Sequence, residues 1–136
     1  MQDGVRGDFR ERLSSLLLEM ERTHPLNSRE QRVSVGRCHL DAETFELLTQ
    51  NFRAGQYSKG VMEGYAQVIG VTRPIDLQRS AQVVRQLRTD KGGHIVQVSA
   101  FQNDLDEIKR AASSADLTVP ALLESCTYLF VRVGAR

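Results

Sequence analysis

The sequence predicts a mainly α-helical fold with two short strands, in which one strand-helix-helix unit occurs twice. Six segments carry apolar residues at steps of three and four, which is the spacing of an amphipathic helix. Two further segments alternate apolar and polar residues, as half-buried strands do. The two strand-helix-helix passages align without a gap at an offset of 60 residues.

The order of these segments divides the chain into four parts, of which the last three are expected to form one compact domain over residues 31–136. The parts are residues 1–30 with an amphipathic helix over 8–22 and a linker, residues 31–70 with the first unit, residues 71–93 with a connecting helix over 75–88, and residues 94–136 with the second unit.

The first unit begins with a predicted strand over residues 32–40. Asp41 follows as the predicted N-cap of a helix over residues 42–53, because its side chain can accept from a free N–H of the first turn. Ser58 is the predicted cap of the next helix, over residues 59–69.

The second unit repeats this order after a Gly-rich turn. Residues 94–101 predict a strand, and Asn103 a cap for a helix over residues 104–114. Thr118 is the predicted cap of the last helix, over residues 119–131, whose first turn contains a proline where no N–H is needed.

The two units match in apolar period and in caps rather than in identical residues. Ser58 aligns with Thr118, and Phe45 aligns with Leu105. A gap-free match that brings both hydroxyl caps into register favours a duplication over chance. Since the offset is long and occurs once, the sequence indicates two copies and not a solenoid array.

Composition excludes several classes of protein. Of the 136 residues 40% are hydrophobic and 26% are charged, which is ordinary for a soluble domain. No apolar run approaches the roughly 18 residues of a membrane span, and the first residues lack the apolar centre of a secretory signal. We therefore expect a cytoplasmic protein with no membrane partner.

The cysteines and histidines do not form a metal motif. Cys38 and Cys126 have no CxxC companion, and the three histidines do not supply the four close ligands of a zinc site. Both cysteines are expected to be small core residues of a reducing compartment. We expect no metal and no cofactor.

An enzyme is also not expected. The sequence contains no Gly-rich phosphate loop and no paired carboxylates in an apolar setting. Cys38 and His39 are neighbours in a strand, so their side chains point to opposite faces and cannot act as a nucleophile and its base.

Net charge is only +1, although residues 31–94 hold nine basic and six acidic residues. That excess is mild for a nucleic-acid-binding domain, which is often strongly basic.

The order of strand, acidic or Asn cap, helix, turn, Ser/Thr cap and helix resembles the ribbon-helix-helix family of DNA-binding proteins, the class of the Arc and MetJ repressors. The resemblance is closer for HIVQVSAFQNDLDEIKRAASSADLTVPALLESCTYLF than for the first copy, whose strand contains Gly36. It implies that the two strands pair as an antiparallel ribbon that enters the major groove. The chain would then act as a single-chain pseudo-dimer.

The tandem arrangement, with its long helical connection, is similar to accessory proteins of conjugative relaxosomes and of tumour-inducing plasmids. This resemblance implies a bacterial protein that binds double-stranded DNA and assists plasmid transfer or maintenance. A relaxase, another transfer protein or a toxin would be the protein partner, contacted through the N-terminal helix. A repressor or antitoxin of the same fold is the first alternative. A protein-interaction adaptor that does not bind DNA is the second, and the low net charge favours it.

The alternation of the strands then assigns the base-reading residues. If Cys38, Leu40, Val96, Val98 and Ala100 face the core, the residues facing outward are Arg37, His39, Gln97 and Ser99. Arg37 suits guanine and Gln97 suits adenine in the major groove. Val33 and Val35 would instead face inward if Gly36 marks a bulge. The alternative interpretation is that the four residues form only the solvated face of a sheet.

Phosphate contacts are expected where the second helix of each unit begins, since helix N-termini attract anions. These residues are Ser58, Lys59, Thr118 and Val119. The basic series of the connecting helix, namely Arg79, Arg85, Arg88 and Lys91, is expected either to flank the ribbon or to form an ordinary solvated face.

Overall fold

The computed structural model describes residues 32–134, and within that range it contains two strands and five α-helices. In chain order they are β1 (Arg32–Asp41), α1 (Ala42–Thr49), α2 (Tyr57–Val68), α3 (Pro74–Lys91), β2 (Gly93–Phe101), α4 (Gln102–Ala115) and α5 (Val119–Leu129). A π-helical turn, Phe130–Gly134, follows α5. The prediction of a mainly helical fold with one antiparallel pair of strands is confirmed. The helix predicted over residues 8–22 lies outside the described residues.

Two of the four predicted helix caps are confirmed. Asp41 accepts from the N–H of Thr44 at 3.1 Å, and Thr118 accepts from the N–H of Ala121 at 3.2 Å. Each residue stands in extended backbone just before its helix, as an N-cap does. The first turn of each of these helices is therefore fixed by a local side-chain bond.

The other two predicted caps are wrong. The structure starts α2 at Tyr57, so Ser58 lies inside its first turn. It starts α4 at Gln102, which places Asn103 inside the helix and puts Phe101 at the cap position, where its side chain makes no capping hydrogen bond. In the second case β2 runs into α4 with no connecting residue, so the cap position falls on the last residue of the strand.

The two strands pair although about half of the described chain lies between them. The N–H of Ala42 donates to the carbonyl of Gly92 at 3.0 Å, which joins the end of β1 to the start of β2. Counting antiparallel pairs back from this bond sets Arg37 opposite Gln97. In this register the N–H and carbonyl of His39 point away from β2, and both bond to side chains instead.

Gly36 shifts the alternation of β1. Val35 packs against the core and Cys38 is fully buried, although strict alternation would put residues three apart on opposite faces. Gly36 lies between them with a φ of 147°, in a region that residues with a side chain rarely adopt. Each expectation for this strand therefore holds in part: before Gly36, Val35 packs against the core, and after it Cys38 and Leu40 are buried.

The core lies between the ribbon and the packed helices α2 and α5, with α3 packed on α5. Its fully buried side chains include Leu40, Leu48, Val61, Val98, Ile108 and Leu122. Cys38 and Cys126 are both buried and free, so their prediction as core residues is confirmed. Burial raises the pKa of Cys126 to about 12 and raises that of Cys38 further, with the Glu124 carboxylate adding to the effect. Both thiols are therefore protonated at neutral pH.

We predict that Gly93→Ala destabilises the fold by about 3 kcal/mol or more, because a Cβ there would overlap the backbone carbonyl of Leu40 in the paired strand. The nearest atoms are backbone atoms of Leu40, so no flexible side chain can move away to relieve the overlap. Gly70→Ala is the matched control, since nothing lies within 4 Å of its Cβ position. Urea denaturation compares the two, and equal stability of both variants would contradict the close approach of the strands.

Candidate nucleic-acid interface

The face of the ribbon that points away from the core carries the predicted base-reading residues. Arg37 and His39 of β1 and Gln97 of β2 are exposed, and Ser99 is half-buried. Cys38, Leu40, Val96 and Val98 occupy the opposite face, since all four are buried. The structure thus places Arg37, His39 and Gln97 on one surface.

Ile95 belongs to the same face and was not singled out in the sequence. Its side chain is 54% exposed, one step of the alternation away from Gln97. The alternation of β2 could have identified it, since residues 95, 97 and 99 point to the same face of the strand. An exposed aliphatic side chain among polar neighbours can contact the methyl group of thymine.

Exposed charge on this face is positive. In the described stretches Ser34–Asp41 and Gly93–Phe101 the charged residues are Arg37 and Asp41. Asp41 is 1% exposed, and its carboxylate lies 3.4 Å from the guanidinium of Arg132. Arg37 is therefore presented without a competing carboxylate from either of these stretches.

The N-terminus of α2 is attached to the outer edge of β2 through Ser58. The N–H of Ser99 donates to the Ser58 hydroxyl oxygen at 3.1 Å, and that hydroxyl lies 3.5 Å from the Ser99 carbonyl oxygen. This contact explains why Ser58 does not cap its own helix. Lys59 follows with an exposed side chain.

A small cleft lies beside this contact and is lined by residues of the helix end and of the ribbon. Its volume is about 210 Å³, and Gly55, Ser58, Ile95 and Gln97 are among the residues that line it. The first N–H of this end that bonds back is that of Gly60, to the carbonyl of Gln56. Free N–H groups at the start of a helix favour an anion.

The N-terminus of α5 lies against β1 in a corresponding place but is closed. A Cβ at Gly36 would stand 3.5 Å from Cγ of Pro120, which shows how near the helix comes to the strand. Thr118 is exposed, but its hydroxyl is engaged with Ala121, and Val119 is half-buried. Pro120 has no N–H to offer. The two helix ends therefore differ in their capacity to bind an anion.

The basic series of α3 divides into two kinds of residue. Arg79, Arg85 and Lys91 are exposed, and Arg79 lies 3.8 Å from the carboxylate of Asp76. Arg88 is different, because its Nη1 donates to the carbonyl of His39 at 2.6 Å and to Glu124 at 3.0 Å. The Arg88 side chain is 21% exposed and that of Glu124 9%. Arg88 is thus placed to hold β1 rather than to reach phosphate.

Glu124 completes this contact and was missed in the sequence. Its second carboxylate oxygen accepts from the N–H of His39 at 2.7 Å. Arg88 and Glu124 together therefore bind both backbone groups of His39 at the outer edge of β1. Arg88 lies 49 residues and Glu124 lies 85 residues from His39 along the chain, so no local pattern points to them.

No known protein family, curated protein or solved structure matches this chain. Across residues 32–134 the helices are too short or too polar to cross a bilayer. The same range contains no cluster of three His, Cys, Asp or Glu side chains arranged to hold a metal ion.

We predict that Arg88→Ala lowers the free energy of unfolding by about 3 kcal/mol, because it leaves the largely buried Glu124 carboxylate without its cation. Arg85→Ala is the control, since that residue lies on the same helix with an exposed side chain and should change stability by less than about 0.5 kcal/mol. Chemical denaturation measures both. An equally large loss of unfolding free energy in Arg85→Ala and Arg88→Ala would contradict the role of Arg88 and Glu124 in holding β1.

Proposed function

We propose that this chain is a non-enzymatic, sequence-specific binder of double-stranded DNA that inserts its two-stranded ribbon into the major groove. The observation that carries the proposal is the antiparallel pairing of β1 and β2 with Arg37, His39 and Gln97 exposed on the face opposite the core. The major groove of B-DNA is wide enough for a two-stranded ribbon and presents a distinct hydrogen-bond pattern for each base pair.

The arrangement of the two units supports a tandem ribbon-helix-helix pseudo-dimer. A two-fold axis that relates residues 60 apart would pass between Arg37 and Gln97, and this is the pair that the register sets opposite each other. The second helix of each unit begins beside the ribbon, α2 at Ser99 and α5 at Gly36. One chain would then supply both halves of a ribbon that otherwise needs two subunits.

Base recognition is assigned to the exposed face of the ribbon. Arg37 can donate two hydrogen bonds to O6 and N7 of guanine, and Gln97 can pair with N6 and N7 of adenine. His39 and Ser99 would contribute less selective polar contacts, and Ile95 would pack on a thymine methyl group.

Phosphate binding is assigned chiefly to the start of α2. Lys59 is exposed in the first turn of α2, and Gln97 lines the cleft beside that turn. The start of α5 has a proline and an engaged threonine, so Thr118 and Val119 would contribute little. This asymmetry suits a DNA site that is not palindromic. Arg79, Arg85 and Lys91 remain candidates for flanking phosphates.

The cellular role that we propose is accessory to plasmid transfer or maintenance, and it rests on the family resemblance alone. A binding-site selection from a random duplex pool tests the molecular function first. Enrichment of one sequence supports the proposal. If no sequence is enriched and random duplex is not bound at low salt either, DNA binding is excluded and the protein-interaction adaptor is favoured. The reason is that attraction to phosphate should be visible at low salt.

We predict that Arg37→Ala costs about 1–3 kcal/mol of binding free energy on the selected duplex and relaxes specificity at one base pair. Binding to random duplex should fall much less, because the guanidinium is expected to read a base edge. Fluorescence anisotropy on both duplexes measures the difference. Equal losses on the two duplexes would reject base reading by Arg37.

We predict that Lys59→Ala weakens binding to all duplexes alike and lowers the slope of log K against log salt by about one unit. The reason is that Lys59 would neutralise a phosphate and release a counterion without reading sequence. Arg73→Ala in the exposed turn before α3 removes the same charge and serves as the control. A salt slope that changes equally in both variants would show an unspecific charge effect instead.

A further inference from the structure

A second surface, formed by the helices and not by the ribbon, combines acidic and apolar side chains in one pocket. An open pocket of about 410 Å³ lies between α2 and α4. Met62 and Ile69 supply apolar wall, and the carboxylates of Glu63, Asp104 and Glu107 line the pocket with one ammonium group, that of Lys59. Acidic charge therefore exceeds basic charge in its lining.

Tyr65 also lines the pocket, and its hydroxyl is unpartnered. The residue is 6% exposed, yet the hydroxyl oxygen makes no hydrogen bond with any described residue. Burial raises the pKa of Tyr65 to about 12, the Glu107, Cys126 and Asp104 groups raise it too, and Arg110 opposes them. The phenol is therefore protonated at neutral pH and has a hydrogen to donate.

An unpartnered buried hydroxyl destabilises a fold, and natural structures rarely leave one without a partner. The group that would satisfy Tyr65 must bring an acceptor, since the phenol donates. It must also tolerate three carboxylates, which favours a cation on the same ligand.

The other half of the domain shows how such a position is filled. Ser125 lies 60 residues after Tyr65, at the aligned place in the second unit. Its hydroxyl donates to the backbone carbonyl of Leu77 in α3 at 2.8 Å, and α3 packs along α5 there. The aligned hydroxyl is thus satisfied by the main chain of a covering segment.

We propose that the α2–α4 pocket binds a segment of a partner protein that places an arginine or lysine side chain among Glu63, Asp104 and Glu107 and a backbone carbonyl on the Tyr65 hydroxyl. The aliphatic stem of such a side chain fits against Met62 and Ile69, because long cationic side chains bury their methylene groups along apolar surface. The pocket suits one side chain and its adjoining main chain. None of these residues belongs to the ribbon face, so the inference extends beyond DNA binding. Lys59 also lines the pocket and is the residue that it shares with the proposed DNA contacts.

The test is a titration of the isotope-labelled full chain, without DNA, followed by amide chemical shifts. The probe is N-acetyl-arginine amide at millimolar concentration, and N-acetyl-citrulline amide is the control, because it has the same shape and carbonyls but no charge. We expect saturable shifts at the pocket residues with the arginine probe only. Equal binding of citrulline, or shifts spread over the surface, would overturn the proposal.

Two substitutions separate the contributions of the groups. Glu107→Gln should weaken the arginine probe at least several-fold, whereas Glu46→Gln, an exposed carboxylate on α1, should leave its affinity unchanged. Tyr65→Phe removes only the unpartnered oxygen, so it should weaken the probe several-fold while the melting temperature stays the same or rises. An unchanged affinity in Tyr65→Phe would overturn the role of the hydroxyl.

Spermidine distinguishes a protein segment from a free amine, since it has cations but no carbonyl. We expect it to bind more weakly than the arginine probe and to be insensitive to Tyr65→Phe. Tighter binding of spermidine in the same pocket would overturn the assignment to a protein partner. Because DNA is absent from every arm, these outcomes are independent of the fate of the DNA-binding proposal.

Discussion

The fold depends on closing the two outer edges of a sheet that has only two strands. A two-stranded sheet in water is marginal, because each strand pairs on one side and leaves a row of N–H and carbonyl groups on the other. At His39 the outer edge of β1 is bound by Glu124 and Arg88. At Ser99 the outer edge of β2 is bound by the hydroxyl of Ser58. These side chains attach the ribbon to α2, α3 and α5.

The same attachments determine which surface the ribbon presents. Since each edge is held by a helix, the buried faces of both strands stay on the core and their alternate residues stay in water. Arg37 and Gln97 thereby come to lie opposite each other in the middle of the paired stretch. The two edges are closed by different chemistry: the ion pair of Arg88 and Glu124 binds β1, and the hydroxyl of Ser58 binds β2. The N-termini of α2 and α5, which lie beside the ribbon, also differ from each other.

Local pattern was sufficient for much of the fold. Alternation predicted both strands, Asp41 and Thr118 were recognised as caps, and Cys38 and Cys126 as core residues, because each of these features depends on neighbours in sequence or on residue type. Gly36 was recognised as a place where the phase of β1 could change, and its φ of 147° accounts for the change. The outward phase of Arg37, His39 and Gln97 followed from the same alternation.

Contacts between distant segments were not predictable in this way. Ser58 stands where the sequence pattern predicts a helix cap, but its hydroxyl accepts from the N–H of Ser99 in β2. Arg88 has the position of a solvated cation, but a carboxylate on α5 holds it. In the sequence Tyr65 is an ordinary apolar position of a helix, and only the structure shows that its hydroxyl has no hydrogen-bond partner among the described residues. Each of these depends on which helices come together.

The central claim is that the exposed face of the ribbon is the surface that meets DNA. The most direct measurement is a map of amide and side-chain chemical shifts on adding the selected duplex to the labelled chain. The account predicts that the largest changes fall on Arg37, His39, Ile95 and Gln97, with smaller ones at Lys59. Changes confined to α3 or to the α2–α4 pocket, with the ribbon unaffected, would contradict it.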